Sequence, residues 1–419
     1  MSRAYFIKAF GITALAILIL VGAAGAAGAA PFAYIANYNS TNISVIDTAT
    51  NKVTATLTAG NNTYEVAVSP DGTKVYVTNC SDEGTVFVID TTTNKVIDIV
   101  SVGSVPIGVA VTPDGKKVYV TNSGSNTTSV IDTETNKVTN TVNVGSSPFG
   151  VAVSPDGTKV YVTNSGGFST NFTGTVSVID TATNTVEATI HTGNNSLGVA
   201  VSPDGTKAYV MNSNIYRNSE GTISVIDTAT NTIITTVNVG IYPRGVAVSP
   251  DGTRVYVAIE DPTVGSFTGA VNVIDTVTNK VTATVPVGSA PIGVAVTPDG
   301  TKIYVANFGN NSVSIIDAET NKVNSTVPVG EYPIAVGQCI GPVIKSNSTM
   351  ESNSTPYLKS INQTENQKNN IGMTGNEETT DEQEINPNYT EEPNGIPFIS
   401  SIWILAIVLG AVTYVRKAK

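Results

Sequence analysis

The sequence predicts an all-β fold, a seven-bladed β-propeller of four-stranded antiparallel blades, followed by one C-terminal transmembrane helix. Three observations predict it. Residues 32–343 repeat a unit of about 45 residues seven times. Each complete unit contains four short runs rich in Val, Ile, Thr and Tyr, which are typical of strands. The first unit lacks its first run, and a matching run without a unit of its own follows the last repeat.

Each unit predicts four strands, which we name a to d in chain order. In residues 150–193, "GVAV" predicts strand a, "KVYVTN" strand b, "TVSVID" strand c and "TVEATI" strand d. The "PDG" between a and b predicts a tight turn, because Pro presets its φ and Gly accepts a positive φ. The "DTATN" between c and d predicts a second turn, in which Asp accepts local hydrogen bonds and Asn accepts the left-handed conformation. We prefer this interpretation of the Asp residues to calcium binding, because the dense acidic spacing of a calcium loop is missing.

The ends of the repeat region predict how the blades close into a ring. Sheets that are apolar on both faces must bury both, and radial stacking does so without leaving an open edge. The first unit begins at strand b, "FAYIAN" at Phe32–Asn37. Its missing strand a is "PIAV" at 333–336, which no "PDG" follows. We therefore expect the N- and C-terminal strands to pair and complete one blade.

The b strands carry a motif that resembles a known propeller repeat. "VYVTN" occurs at 75–79, 118–122 and 160–164, with "PDG" before it and "VIDT" after it. These motifs resemble the YVTN-family repeat, and the resemblance covers about three quarters of the chain. It implies a protein of archaeal or bacterial cell surfaces, surface-layer proteins included. The departures are "AYVMN" at 208–212, "VYVAI" at 255–259 and "IYVAN" at 303–307. WD repeats are excluded, because the one Trp, Trp403, lies outside the repeats.

Both chain ends predict export and anchoring. Residues 1–30 have the basic start, apolar run and small residues of a secretory signal peptide. Residues 395–415 are apolar and would span about 31 Å as a helix, the thickness of a bilayer core, so we prefer a transmembrane helix to an apolar core helix. The basic tail, 416–419, is then cytoplasmic. The propeller, 31–343, is therefore expected at the cell surface, anchored to the membrane.

The charge is concentrated between the propeller and the apolar segment. The chain has a formal net charge of −11, and residues 344–394 contain nine acidic and three basic residues. This segment is poor in large apolar residues and predicts a disordered linker. Its glycosylation candidates, with chance occurrence as the alternative, are Asn347, Asn353, Asn362 and Asn388. Because no basic cluster lies outside the membrane flank, we expect no nucleic-acid partner.

The sequence offers few groups for catalysis or metal binding. The single histidine, His191, falls at the end of an outer strand d, where we expect a solvated side chain. We predict no metal and no cofactor, and the Cys-x-x-Cys-His of haem attachment is missing. Glu65, in "EVAV", is the one acid added to the a strands. Cys339 is expected after strand a of the closing blade and Cys80 after strand b of the next blade, at the opposite end, which disfavours a disulfide.

One face of the ring is predicted to vary more than the other. The b–c and d–a loops, which share this loop face, differ between repeats, whereas the a–b and c–d turns of the turn face are uniform. Aromatic residues and Arg, which are typical of contact surfaces, gather at the loop face. The candidate partner-binding residues are Phe149, Tyr216, Arg217, Tyr242, Arg244 and Tyr332. The alternative is that they cover loop backbone and blade edges.

These features together predict a non-enzymatic surface protein. We expect a surface-layer-associated or adhesive module that binds protein or glycan partners through its loop face. The alternative is an extracellular hydrolase, lactonase-like or of another kind, that acts at the mouth of the propeller channel. Fold alone does not decide between them, since one fold hosts many functions. Convergent acidic groups in the channel would favour the hydrolase.

Overall fold

The propeller is the part of the chain that the structure describes. The computed structural model describes residues 31–167, 170–213, 220–261, 268–334 and 340–341. These residues form seven four-stranded antiparallel sheets. Each sheet has its strands in the predicted order a, b, c, d, so the predicted seven-bladed β-propeller is confirmed.

The strands are numbered β1 to β28 along the chain. The a strands, innermost in each blade, are β4 (Thr63–Val68), β8 (Pro106–Val111), β12 (Pro148–Val153), β16 (Ser196–Val201), β20 (Pro243–Val248), β24 (Pro291–Val296) and β28 (Pro333–Ile334). The b strands are β1 (Phe32–Asn37), β5 (Lys74–Asn79), β9 (Lys117–Asn122), β13 (Lys159–Asn164), β17 (Lys207–Asn212), β21 (Arg254–Asp261) and β25 (Lys302–Asn307).

The remaining strands complete each blade towards the rim. The c strands are β2 (Asn42–Asp47), β6 (Thr85–Asp90), β10 (Thr127–Asp132), β14 (Thr173–Asp180), β18 (Gly221–Asp227), β22 (Thr268–Asp275) and β26 (Ser312–Asp317). The d strands are β3 (Lys52–Thr58), β7 (Lys95–Ser101), β11 (Lys137–Asn143), β15 (Thr185–Asn194), β19 (Thr232–Gly240), β23 (Lys280–Ser289) and β27 (Lys322–Pro328). Blade 1 combines β28 with β1–β3, and blades 2 to 7 follow in order, from β4–β7 to β24–β27. A 3-10 turn, Phe308–Asn310, follows β25.

The core lies between neighbouring blades. The b and c strands are buried on both faces, as in β6, where four consecutive residues are buried. The d strands alternate instead, as in β7, because one of their faces meets solvent. Buried tyrosines from the b strands are the largest side chains of this core, and they are Tyr34, Tyr76, Tyr119, Tyr161, Tyr209, Tyr256 and Tyr304.

The a–b turn has the predicted chemistry. In blade 4, the Ser154 hydroxyl donates to the Asp156 carboxylate at 2.6 Å and accepts from the Lys159 backbone N–H at 2.9 Å. Gly157 has a φ of 72°, which a side chain would disfavour. The bonds from the Ser154 hydroxyl and the Thr158 backbone N–H lower the pKa of the Asp156 carboxyl. The turn is therefore fixed by its own side chains, and the Thr181 hydroxyl of strand c adds a bond of 2.7 Å to the Gly157 carbonyl.

The c–d turn also confirms its prediction. Asp180 accepts hydrogen bonds from the Thr183 backbone N–H at 2.7 Å and from the Thr183 hydroxyl at 2.8 Å, and these bonds lower the pKa of the carboxyl. The Asn that ends each turn has a positive φ between 52° and 55° in all seven blades. These residues are Asn51, Asn94, Asn136, Asn184, Asn231, Asn279 and Asn321. Turn geometry accounts for these Asp and Asn residues without a bound ion.

The same turns connect neighbouring blades. The Lys117 ammonium of blade 3 donates to the Thr181 carbonyl of blade 4 at 2.6 Å. The Tyr119 hydroxyl donates to the Asn184 side chain of blade 4 at 2.9 Å. Lys302 of blade 7 makes the equivalent bond to the Thr48 carbonyl of blade 1 at 2.5 Å. Blade 7 therefore docks on blade 1 as the other blades dock on their neighbours.

The threonine of "YVTN" joins adjacent a strands near the channel. The Thr121 hydroxyl accepts from the Gly108 N–H of its own blade at 2.8 Å and donates to the Phe149 carbonyl of the next blade at 2.6 Å. Thr163 repeats both bonds one blade further on, at 2.8 and 2.6 Å. In blade 2, Thr78 makes the same two hydrogen bonds. The motif threonine is thus a hydrogen-bonded bridge between blades. Blades 1, 5, 6 and 7 have Ala36, Met211, Ala258 and Ala306 at this position.

The asparagine of the motif holds strand b to strand c. The buried Asn122 side chain donates to the hydroxyls of Thr127 and Ser129, each at 3.0 Å. Blade 6 has Ile259 at the Asn position. It carries an asparagine on strand c instead, Asn272, whose amide donates to the Val239 carbonyl at 2.8 Å. The departure "VYVAI" therefore moves the buried amide to the neighbouring strand.

The predicted ring closure is confirmed for the residues described. Ile334 pairs with Ala36 and Pro333 with Asn37, so β28 is the a strand of blade 1. Further along, Ile340 forms an isolated bridge with Ala33. Residues 335–339 lie outside the described residues. Blade 1 is thus built from both ends of the repeat region.

The predictions for the chain ends are not tested by the structure. The signal peptide 1–30, the linker 344–394, the transmembrane helix 395–415 and the tail 416–419 lie outside the described residues. Within the described ranges, the structure shows no helix of the length and hydropathy that a membrane crossing requires. The anchored arrangement therefore stays a prediction.

We predict that the threonine bridge contributes measurably to stability. Thr121→Val should lower the free energy of unfolding by about 1–3 kcal/mol, because the Gly108 N–H and the Phe149 carbonyl lose a buried partner. Thr121→Ser keeps the hydroxyl and should retain most of the free energy of unfolding that Thr121→Val loses. Thr139→Val on the outer strand, whose hydroxyl makes only a 3.3 Å bond, is the matched control and should cost less than about 0.5 kcal/mol. Urea unfolding of the three variants measures this, and equal midpoints would contradict the bridge.

We also predict that the closing strand is needed for a stable ring. The test compares two shortened chains that both start at Pro31. One ends at Lys345 and contains this strand, and the other ends at Gly330 and lacks it. The shorter chain exposes the inner edge of β1 and loses Ile334, whose burial alone contributes about 1.5–3 kcal/mol. It should unfold at a lower temperature or aggregate, as calorimetry and light scattering would show. Identical transitions for the two chains would mean that β28 does not close the ring.

Candidate functional site

The loop end of the central channel is packed with side chains from the second position of the a strands. These side chains are Tyr64, Ile107, Phe149, Leu197, Arg244, Ile292 and Ile334. Five of them meet in one apolar cluster. Within it, the rings of Tyr64 and Phe149 are edge-on, with centroids 5.9 Å apart. A small molecule would therefore meet a packed wall at this end of the channel.

At the third position of the a strands, neighbouring blades lie close together. It is glycine in five blades, at Gly108, Gly150, Gly198, Gly245 and Gly293. A Cβ at Gly108 would lie 2.5 Å from the carbonyl oxygen of Phe149, nearer than side-chain atoms pack in proteins. Blade 2 alone has a large side chain here, Glu65. The comparison excludes blade 1, whose residue 335 lies outside the described residues.

A cavity occupies the channel between the packed end and the turn face. Its volume is about 470 Å³, within the range of small-molecule sites. The ends of six a strands line it, together with residues of the a–b turns such as Ser69 and Pro70, and with Ile340. Glu65 lies at its inner end, one residue before the positions at which most of the other a strands begin to line it. The site thus has a floor that carries a carboxyl and a mouth at the turn face.

Glu65 has the electrostatic properties of a proton-transfer group. Only 5% of the residue is exposed. Desolvation raises the pKa of its carboxyl well above 4.5, although a hydrogen bond from the Val109 backbone N–H favours the ionised form. Among the described residues that line the cavity, Glu65 is the only ionisable one. Such a carboxyl can accept and release a proton nearer to neutral pH than an ordinary glutamate.

The other buried charges lie in blade 6. Arg244 and Glu260 are both buried, with 3.7 Å between Nη2 and Oε2. Desolvation raises the pKa of Glu260, and the nearby Arg244 charge partly offsets this. The second carboxylate oxygen, Oε1, has no hydrogen-bond partner among the described residues. Sequence reasoning did not single out Glu260, although it directly follows the departing motif "VYVAI".

The structure separates the predicted partner-binding residues. Phe149 and Arg244 belong to the packed channel end rather than to an exposed loop. Tyr242 is half-buried, with a positive φ of 47°. Tyr332 is 38% exposed and stacks on Phe308 with ring centroids 4.6 Å apart. Of these four candidates, Arg244 is therefore buried, Phe149 and Tyr242 are half-buried, and Tyr332 is exposed.

The remaining candidates fall where the structure gives no description. Tyr216 and Arg217 lie in the undescribed range 214–219. The glycosylation candidates Asn347, Asn353, Asn362 and Asn388 follow the last described residue. Partner binding and glycosylation accordingly stay predictions.

The cysteine and histidine are placed away from the cavity. Cys80 is a buried free thiol, and desolvation raises its pKa to about 12, so it is a poor nucleophile. Cys339 lies outside the described residues. His191 is exposed on β15, as predicted. In the described part of the chain, no three His, Cys, Asp or Glu side chains gather in a possible metal site.

Comparison with known proteins supports the class of seven-bladed β-propellers. The family model "Lactonase, 7-bladed beta-propeller" matches residues 32–155, and the model "Cytochrome D1 heme domain" matches residues 214–334. No curated protein sequence matches the chain. The narrower resemblance to surface-layer propellers is not confirmed by these matches.

Several solved structures share the fold. Hydrazine synthase from Kuenenia stuttgartiensis is 26% identical, with a TM-score of 0.61 over 65% of this chain and 88% of that one. Two Bacteroides proteins, each provisionally named a 6-phosphogluconolactonase, are 16% identical with TM-scores of 0.59. The one from B. uniformis matches over 74% of this chain and 98% of its own, and the one from B. fragilis over 73% and 97%.

These findings correct the expectation that the protein is not an enzyme. The lactonase family model, which matches the first three blades, contradicts it and points to a hydrolase. The expectation was wrong because it counted acidic groups along the sequence. A single carboxyl becomes a candidate for catalysis once burial changes its pKa, and the sequence does not show that burial.

The residues present do not fit a haem. An iron porphyrin needs an axial ligand and partners for its propionates. The cavity residues include no His, Cys, Met, Lys or Arg within the described ranges. His191 lies on the rim, outside the segment that matches the haem-domain model.

We predict that Glu65 lowers the stability of the propeller near neutral pH. A folded pKa above 4.5 means that the protonated form favours folding below that pH, and that this contribution is lost as pH rises through the folded pKa. Glu65→Gln should therefore raise the melting temperature near neutral pH, and the gain should shrink towards pH 4.5. Glu134→Gln, in an exposed c–d turn, is the control. A destabilised Glu65→Gln at neutral pH would contradict this account.

Proposed function

We propose that the propeller is a hydrolase that opens lactones or related small esters inside the channel cavity, with Glu65 as its acid–base residue. One observation carries the proposal. The only ionisable side chain among the described cavity residues is a buried carboxyl, at a position that is glycine in five other blades. The lactonase model matches the segment that contains it.

The geometry supports a general acid–base mechanism. A lactone enters from the turn face, because the loop end is packed. Ionised Glu65 takes a proton from a water molecule, whose oxygen attacks the lactone carbonyl carbon. Backbone N–H groups on the inner edges of the a strands are available to stabilise the tetrahedral oxyanion. When the C–O bond of the ring breaks, Glu65 returns the proton to the leaving alkoxide, and a hydroxy acid results.

The apolar side chains around Glu65 explain why one carboxyl is sufficient for this acid–base mechanism. Desolvation raises the basicity of Glu65, so it removes a proton more readily than a solvent-exposed glutamate. The bond from the Val109 N–H fixes the carboxylate without neutralising it. Since this step requires the ionised form, activity should rise with pH through the raised pKa of Glu65.

We propose further that the enzyme acts at the cell surface. This rests on the predicted signal peptide 1–30 and transmembrane helix 395–415 alone. Binding of surface proteins or glycans at the loop face, where Tyr332 is exposed, would be an additional property of the same molecule.

The test is hydrolysis by the purified full-length protein in detergent. A panel of γ- and δ-lactones, assayed by acid release, should contain at least one substrate. Glu65→Gln should lower kcat by about a hundredfold or more, while Glu134→Gln should leave it unchanged. The pH profile of the wild type should have its acidic limb above pH 4.5. Full activity of Glu65→Gln on every substrate would contradict the role of Glu65.

A further inference from the structure

The described side chains that line the channel cavity are almost all apolar, and polar backbone groups form part of its surface. Eighteen of the twenty described lining residues are Val, Ala, Pro or Ile, and the exceptions are Glu65 and Ser69. The walls come from the a strands, whose repeated "VAV" places Val and Ala at the same height in successive blades. The described residues thus give the cavity apolar side-chain walls and a single carboxyl at its inner end.

The described part of the cavity offers no positive charge to a ligand. Its described lining residues include no Lys or Arg. Arg244 lies at the packed end beside Glu260. Four lysines at the turn face bind carbonyls of neighbouring blades instead, as Lys117 binds the Thr181 carbonyl. Lys159 pairs with Glu187 of its own blade. A phosphate buried here would lose its hydration without an ion partner, which is strongly unfavourable, and Glu65 would repel it.

The cavity has more room than a lactone ring needs. Its 470 Å³ corresponds to about fifteen water-sized groups, whereas a five-membered lactone has six non-hydrogen atoms. A substrate that placed its ring at Glu65 would leave the space towards the a–b turns unfilled. Only an aliphatic substituent would gain by covering the Val and Ala walls of that space.

We propose that the cavity takes an uncharged lactone with an aliphatic side chain, and that phosphorylated sugar lactones are not its substrates. The proposal rests on the proposed function, and it separates this chain from the lactonase-named neighbours. The ring carbonyl lies at the floor near Glu65, and the chain extends along the walls towards the turn face.

The experiment measures kcat/KM for γ-butyrolactone, γ-hexalactone, γ-decalactone and 6-phosphogluconolactone with the full-length protein. We expect an increase of about fourfold for each CH2 that the walls cover, and no measurable turnover of the phosphorylated lactone. Ala200→Leu narrows the cavity and should lower the ratio of γ-decalactone to γ-butyrolactone activity at least tenfold. Ala49→Leu, in an exposed turn, should leave that ratio unchanged. Melting temperatures exclude a folding defect.

Binding without turnover keeps the two proposals distinguishable. Calorimetry with Glu65→Gln should show saturable binding of γ-decalactone that Ala200→Leu weakens. If no lactone is hydrolysed but this binding is found, the proposed function fails and the apolar ligand class stands. If 6-phosphogluconolactone is hydrolysed at least as well as γ-decalactone, the ligand class is overturned and the hydrolase stands. If no lactone is hydrolysed and none is bound, both proposals are overturned.

Discussion

The close approach of neighbouring a strands is the constraint on which the rest of this propeller depends. At Gly108 the next blade comes so near that a Cβ would lie 2.5 Å from a carbonyl oxygen. The Thr121 hydroxyl bridges the same two strands with bonds of 2.8 and 2.6 Å. Glycine and threonine act together here, because removing the side chain lets the backbones meet and the hydroxyl satisfies the groups that this contact buries. Blades 3 and 4 have both residues, and the other blades keep the close approach with only one of them or with neither.

Because the blades repeat so regularly, we expect chemistry at the positions where a residue departs from the repeat. Glu65 replaces glycine at the contact, and its blade keeps a Thr78 bridge of 2.8 Å to the Ile107 carbonyl, against 2.6 Å in the two blades that follow. A buried carboxyl with a raised pKa opposes folding near neutral pH. Natural proteins retain such a group where it has a function more often than where it has none. The buried Arg244–Glu260 pair is a second exception, and it packs the opposite end of the channel.

The sequence was sufficient for the fold and insufficient for the site. Strand order, both turns and the pairing of Ile334 with Ala36 followed from repeat spacing and turn chemistry, which are local properties. The site depends on whether a side chain faces the channel or the packed interior. Only the three-dimensional structure shows this. Arg244, expected on the loop surface, is buried beside Glu260, which no motif indicated. Glu65 was visible as the one acid in the a strands, but its burial and the cavity at the turn face were not.

The protonation of Glu65 tests the central claim most directly. In protein labelled with 13C at the glutamate carboxyl carbon, the carboxyl resonance that is absent from Glu65→Gln belongs to this residue. We predict that it titrates well above pH 4.5, because its carboxyl is desolvated at the floor of the channel. A titration at or below pH 4.5 would mean that the carboxyl is solvated or paired, and it would contradict an acid–base site in this cavity.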